Sequence, residues 1–173
     1  MNIQPKQIET ERLTLRPFRE EDAQAMFDNW ASDPEVTRYL TWLPHASVEV
    51  TRGLLRHWID RGSPEWCIVP KEFGEPMGSI SVVHLEGDVA EVGYCLSRKC
   101  WGKGYVAEAL RAIIQTLFDA GASRVTAKHD LNNPNSGRVM QKAGMTWLEN
   151  RRASVSPVLG ERDLAVYYID NLT

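Results

Sequence analysis

A strand-like run ending at Leu96 and a strongly helical run beginning near Val106 are joined by Trp101-Gly102-Lys103-Gly104-Tyr105-Val106. This junction constrains the fold more than any other segment. Glycines let backbone pass close to a ligand, the first helical N–H groups have no partner inside the helix, and the helix dipole adds roughly half a positive charge there. An anionic phosphate meets all three conditions. An ordinary tight strand-to-helix turn is the other reading, and short glycine motifs recur by chance.

The rest of the chain narrows the choice. At 173 residues, 43% hydrophobic and 25% charged, it fits one compact domain spanning 1–173 with a real core. A net charge of −3 gives no basic footprint for DNA or RNA, so no nucleic-acid partner is expected. No stretch reaches the apolar length of a membrane helix, and Gln4, Lys6 and Glu9 interrupt any apolar signal core, so the expected location is the cytoplasm with no membrane partner. Cys67, Cys95 and Cys100 form neither a CxxC pair nor a zinc pattern, and they read as reduced, mostly buried thiols. His45, His57, His84 and His129 are scattered, so no metal is expected.

Apolar spacing lays out the elements. Arg12 to Phe18 alternates around Leu13 and Leu15 as a half-buried strand, and the acidic stretch Glu20-Glu21-Asp22 suits a helix start before Ala23 to Trp30. Val48, Leu54, Leu55, Trp58 and Ile59 mark a second helix opened by Ser47. Glu65 to Val69, Met77 to Leu85 and Val89 to Leu96 read as strands, the last two joined at Glu86-Gly87-Asp88 as an antiparallel hairpin. The best helix follows the glycine junction, with Val106, Leu110, Ile113, Ile114, Leu117 and Phe118 on one face until Gly121. A strand over Arg124 to Lys128, a short helix over Ser136 to Ala143, and strands over Met145 to Leu148 and Leu164 to Ile169 complete the chain. Gly102, Gly104 and Ala107 also satisfy the dinucleotide fingerprint G-x-G-x-x-G/A. A hairpin strand before the motif and only about 65 residues after it do not suit a doubly wound sheet, so NAD and FAD are not expected.

Together these segments resemble the GNAT superfamily of acetyl-coenzyme A dependent N-acetyltransferases, and within it the branch of ribosomal-protein N-terminal acetyltransferases. The resemblance rests on Thr10-Glu11-Arg12-Leu13-Thr14-Leu15-Arg16-Pro17, on Ala90-Glu91-Val92-Gly93-Tyr94, on Trp101 to Leu110, on Asn133 to Met145, which fits N-x-x-S-x-R-V-x-x-K-x-G-F/M, and on Asp163 with Tyr167. It implies an α+β fold: a mixed, mostly antiparallel sheet of about seven strands with about four helices, its central strands splayed to take acetyl-CoA. It also implies cofactor contacts from Leu96, Trp101, Gly102, Lys103, Gly104, Tyr105, Val106 and Asn133. Gly93 suggests a bulge that splays those strands, and the backbone N–H near Leu96 is the implied oxyanion donor. The segment Arg38 to His45 is implied to lie near the acceptor.

Three positions depart from the superfamily pattern. Trp101 replaces the glutamine or arginine of Q/R-x-x-G-x-G/A, Val106 replaces its small last residue, and Met140 stands where many members carry a tyrosine that protonates the departing thiolate. A thioether donates no proton. The resemblance therefore implies Ser136 as the thiolate's hydrogen-bond donor, against the alternative of a helix cap. Glu91 is the implied base for the attacking amine, directly or through water, against the alternative of a solvated strand carboxylate. A base is needed because only about one α-amine in ten, and fewer than one lysine in a thousand, is neutral at pH 7. Asn133 reads either as a pantetheine contact or as an Asx turn, and Glu108 as a helix-end acid. The implied reaction is direct acetyl transfer to a primary amine, either a protein N-terminus or a small molecule such as an amino acid, polyamine or antibiotic. A coenzyme A binding module without catalysis is the competing class. Monomer and homodimer both remain open.

Overall fold

The computed structural model describes residues 1–173 as one sheet with helices on both faces. Its strands are β1 (Ile8–Glu9), β2 (Leu13–Pro17), β3 (Glu65–Pro70), β4 (Gly78–Glu86), β5 (Val89–Leu96), β6 (Arg124–Asp130), β7 (Thr146–Ser156) and β8 (Gly160–Asp170). They lie in the order β1-β2-β3-β4-β5-β6-β8-β7. Only β5 and β6 run parallel. The helices are α1 (Ala23–Met26), α2 (Pro34–Thr37), α3 (Val48–Arg61), α4 (Tyr105–Asp119) and α5 (Pro134–Lys142).

The mixed, mostly antiparallel sheet matches the expectation in kind, with eight strands and five helices rather than about seven and four. The extra strand, β1, has two residues and pairs Ile8 with Leu15, too short to show a period. The helix expected over Ala23 to Trp30 narrows to α1 and then widens into a π turn over Phe27–Ala31, which seats Trp30 and Ala31 at 0% exposure. The β7–β8 hairpin is far longer than its apolar cores predict. β7 is an edge strand with mostly exposed residues, so it lacks the alternation a half-buried strand displays.

The two faces carry separate cores. α4 buries Leu110, Ile113 and Leu117 completely against Leu13, Leu15, Trp66, Ile80 and Val92, roughly 1.5–3 kcal/mol for each aliphatic side chain removed from water. On the other face α1, the π turn and α3 pack Met26, Trp30 and Leu55 against Phe18 and Cys67. α4 stops where expected, with Gly121 in the left-handed region at φ +102°, a conformation glycine adopts without a Cβ clash.

Between these layers the sheet divides. β5 and β6 pair from Val89↔Arg124 to Val92↔Ala127 and no further, although β5 continues to Leu96 and β6 to Asp130. Each wall stays anchored on its outer side, β5 through Gly78↔Leu96 and β6 through Asp130↔Leu164. The bulge expected at Gly93 sits instead on the neighbouring strand, where the β4–β5 register shifts between Val82 and His84. Gly93 is the complement of that bulge: a Cβ there would lie 3.0 Å from Val83 Cγ1, so the side chain that glycine lacks is the space Val83 fills.

Candidate active site

The opening between β5 and β6 ends at the glycine junction. Gly102 and Gly104 take φ +78° and +79°, and Gly104 occupies the N-cap of α4 without a side chain to cap it. The first intrahelical bond is Glu108 N–H to the Gly104 carbonyl, 3.2 Å. The N–H groups of Tyr105, Val106 and Ala107 therefore precede the helical ladder and donate to no other protein group. Their side chains turn inward, Tyr105 at 4%, Val106 at 9% and Ala107 at 3% exposure, so backbone alone faces the opening. Three free amides at the positive end of a fifteen-residue helix form an anion cradle.

The N-terminal motif braces this cradle. Arg12 Nη1 donates to the Lys103 carbonyl at 2.7 Å while its Nε donates to Glu108 Oε1 at 2.8 Å, and Thr10 Oγ1 donates to Glu108 Oε2 at 2.6 Å. Partial burial opposes ionisation of Glu108, but the hydrogen bonds from Thr10 and Arg12 hold its carboxyl below the ordinary range. Glu108 is thus a structural tie rather than a free helix-end acid. Lys103 Nζ pairs with Glu72 Oε1 at 2.9 Å, and the Tyr105 hydroxyl donates to the same carboxylate. Those two hydrogen bonds, Tyr105 first, hold the Glu72 carboxyl down. Trp101 ties the junction back to the sheet. Its indole Nε1 donates to the Leu96 carbonyl at 2.9 Å and pins the end of β5.

Along the β5 wall, Ser97 N–H donates to the Met77 carbonyl at 2.7 Å, which directs Ser97 and Cys95 toward β4. By the alternation of an antiparallel ladder, the N–H and C=O of Leu96 and Tyr94 point the other way, into the opening. With the Leu96 carbonyl held by Trp101, its N–H is left facing the space between the walls.

A hydroxyl pair joins those walls. The Tyr94 hydroxyl lies 2.7 Å from Ser136 Oγ and 3.2 Å from the Ser136 carbonyl oxygen, linking β5 to the first turn of α5. Burial pushes the Tyr94 phenol well up, so it keeps its proton. Ser136 does not cap its helix, because its side chain turns to Tyr94. Asn133, at the N-cap of α5, makes no side-chain cap bond. The Asx turn there belongs to Asp130, whose Oδ1 accepts from Asn132 N–H at 2.8 Å; the Asn133 backbone N–H donates to the Asp130 carbonyl at 2.8 Å, and its side-chain amide makes no hydrogen bond within the protein. Met140 is 1% exposed and belongs to the core.

Glu91 faces the opposite side of the sheet, one residue before β5 and β6 part, and its Oε2 lies 3.1 Å from Lys128 Nζ on β6. The segment Arg38 to His45 approaches this side, with the Leu40 carbonyl accepting from Arg162 Nη1 at 3.3 Å and Arg162 Nε 3.7 Å from Asp130 Oδ2. His45 is held by Thr51 Oγ1 at 2.7 Å, and burial lowers its pKa.

Sequence reasoning missed Tyr94 as a partner of Ser136, although its alternation with Val92 and Leu96 marks it as facing α4 and α5. It also missed Glu65, a lone acid opening the apolar run Glu65-Trp66-Cys67-Ile68-Val69. Burial pushes the Glu65 carboxyl up to about 8. The folded protein keeps that proton to about pH 8 while an unfolded chain releases it near 4.5. Between those values the unfolded state binds fewer protons, so this group makes stability fall as pH rises. Glu65→Gln should therefore stabilise the protein at pH 8, by on the order of a few kcal/mol, and leave it nearly unchanged at pH 5. Melting curves of both proteins at the two pH values check this; equal differences at both would show that Glu65 ionises normally.

Known proteins share this architecture. Residues 12–146 match the family model of the acetyltransferase (GNAT) domain. An uncharacterized N-acetyltransferase, p20 of Bacillus licheniformis, is 34% identical over 148 residues, covering 79% of this chain and 83% of that protein. A GNAT-family acetyltransferase structure from Bacillus anthracis superposes with a TM-score of 0.85 at 25% identity, over 95% of this chain and 98% of its own. RimL, a ribosomal L7/L12 α-N-protein acetyltransferase solved with coenzyme A, shares the fold with a TM-score of 0.83 at 21% identity, over 95% and 98% of the two chains. The matched span runs from the Arg12 brace through the divided sheet and the glycine junction to α5, and with it this chain belongs to the GNAT acetyltransferase family and is an acyltransferase.

Proposed function

We propose that the chain transfers an acetyl group from acetyl-CoA to a primary amine, on a protein N-terminus or a small molecule, by direct attack within the β5–β6 opening. One observation carries this reading: β5 and β6 part after Val92↔Ala127, with the start of α4 and its free amides beyond the end of β5 and the Tyr94–Ser136 hydroxyl pair joining the parted strand to α5. The cradle fits the pyrophosphate of coenzyme A, and the Asn133 amide has both a donor and an acceptor to offer the pantetheine arm. Structures of relatives hold coenzyme A, as RimL does, or acetyl-CoA, as the microcin C7 immunity protein MccE does.

The chain's residues then divide the work. Glu91, charge-compensated by Lys128, takes the proton that the amine loses, directly or through water. The Leu96 N–H donates to the carbonyl oxygen as negative charge collects on it. When the C–S bond breaks, sulfur keeps the electron pair, and Ser136 donates a hydrogen bond to it. Tyr94 sets that direction: while it donates to Ser136 Oγ, the serine's only proton is free for the sulfur. The products are an amide and the coenzyme A thiolate, which becomes the thiol by taking a proton from solvent, while Glu91 returns its own proton to solvent.

Ser136→Ala should reduce turnover roughly ten- to a thousandfold with little change in coenzyme A affinity, because the lost interaction belongs to the transition state. Tyr94→Phe should reduce it in the same sense, and the double variant should fall less than the two losses combined, as expected for residues acting as one unit. Steady-state kinetics beside calorimetric titration of coenzyme A decide this. Variants that lose only melting temperature, with turnover per folded molecule intact, would make the pair a structural tie.

A further inference from the structure

We infer that Glu65 and the cavity beside it bind a second ammonium group of the acceptor, so that the favoured acceptors are amines carrying another positive charge about 10 Å from the reacting nitrogen. The inference rests on the proposal above, that the amine reacts at the β5–β6 opening. A cavity of about 220 Å³ lies between the end of β2 and the C-terminal end of α3, lined by Pro17, Phe18, Trp58, Ile59 and Glu65 among others. That is roughly seven times the share of one water in the liquid, room for an alkylammonium end. The Phe18 and Trp58 rings meet at 5.3 Å between centroids, and aromatic faces attract a cation.

Glu65 is the acid of this cavity. It has no Lys, Arg or His within ion-pairing distance, unlike Glu9, Glu20, Glu49, Glu72, Glu91 and Glu108, each of which has one. Its neighbours are uncharged. Ser81 is its register partner on β4, and Cys95 on β5 is a thiol whose own pKa burial pushes up to about 11. Phe18 and Trp58 complete the surround, while His57, Asp60 and Arg61 of α3 are solvent-exposed. Ser81 is a hydrogen-bond partner of this half-buried carboxyl, but without a countercharge its ionised form destabilises the fold, and an incoming ammonium supplies the missing charge. Groups held in so costly a state concentrate at functional sites.

Register fixes the reach. Glu65 pairs with Ser81, Ser81 pairs with Gly93, and at Gly93 the β5–β6 pairing has just ended. Two strand spacings separate Glu65 from the opening, about 10 Å. Ser81 and Gly93 are the small residues of that row, on the same face as Glu91, with Val83 packed over Gly93 and the linker passing along its outer side.

Acetylation of an α,ω-diaminooctane is compared with that of octylamine, and with peptides whose N-terminus is or is not followed by a lysine. The diamine should show a KM at least tenfold below that of octylamine, with similar kcat. Its advantage should grow from pH 6.5 to pH 8.5 as the carboxyl loses its proton to solvent and the carboxylate pairs with the bound ammonium. Glu65→Gln should abolish the difference and leave octylamine turnover unchanged. Calorimetry of the diamine with the protein alone separates the two claims: Glu65-dependent binding without any acetyl transfer would sink the transfer reading and keep the site. Equal KM values for diamine and monoamine, or a preference that survives Glu65→Gln, would overturn the site. A preference confined to the lysine-bearing peptides would identify a polypeptide acceptor, and one confined to the diamine a small-molecule acceptor.

Discussion

Replacing Gly104 with valine should weaken coenzyme A binding at least tenfold, about 1.4 kcal/mol, and more if the loop rearranges. Gly104 sits at φ +79°, and a Cβ there would also meet Arg12 Nη2 at 3.4 Å. A β-branched residue in the left-handed region costs on the order of 1–3 kcal/mol, which the loop relieves by turning the peptide that precedes α4. That turn redirects the free amides and breaks the bond from Arg12 to the Lys103 carbonyl. Calorimetric titration of coenzyme A into a folded Gly104→Val protein checks it, and unchanged affinity would remove the anion cradle from the account.

Glu91→Gln should lower turnover roughly a hundredfold or more while coenzyme A affinity stays nearly constant. The acidic limb of the rate profile should disappear with it. The ion pair with Lys128 supplies a control, because a merely structural pair is broken equally from either side. Lys128→Met removes the pair and keeps the carboxylate, so it should retain most of the rate if Glu91 takes the proton. Equal losses in the two variants would make the pair, and not the base, the important feature.

How legible these parts were in the sequence follows from how local their causes are. The glycine junction, α4 and the β4–β5 hairpin are written in neighbouring residues: Gly102, Gly104 and Gly121 need positive φ, and the apolar stripe of α4 has its period in plain view. The bulge was assigned to Gly93 because glycine in a strand signals one, yet the extra residue is Val83 across the ladder, and only pairing reveals which strand carries it. The hydroxyl pair joins Tyr94 to a serine 42 positions away, so no local pattern announces it. Glu65 read as the polar start of a strand until α3 and Phe18 closed over it. The resemblance named Ser136 and Asn133; in the structure the serine hydroxyl meets Tyr94 rather than capping its helix and the Asx turn belongs to Asp130, which leaves their roles to the kinetics and titrations above. For Glu91 the carboxylate lies beside the opening with a lysine for a neighbour, which leaves its role to the kinetics above.

The central claim is that one cleft both holds acetyl-CoA and passes its acetyl group to an amine. Incubation of the protein with acetyl-CoA and a panel of octylamine, diaminooctane and short peptides, followed by thiol release and by the mass of the acceptor, tests it most directly. Amine-dependent release of one thiol for each acceptor molecule gaining one acetyl group is expected, slowed at least tenfold by Gly104→Val at low acetyl-CoA concentration. Tight coenzyme A binding with no amine raising thiol release above simple thioester hydrolysis would contradict it.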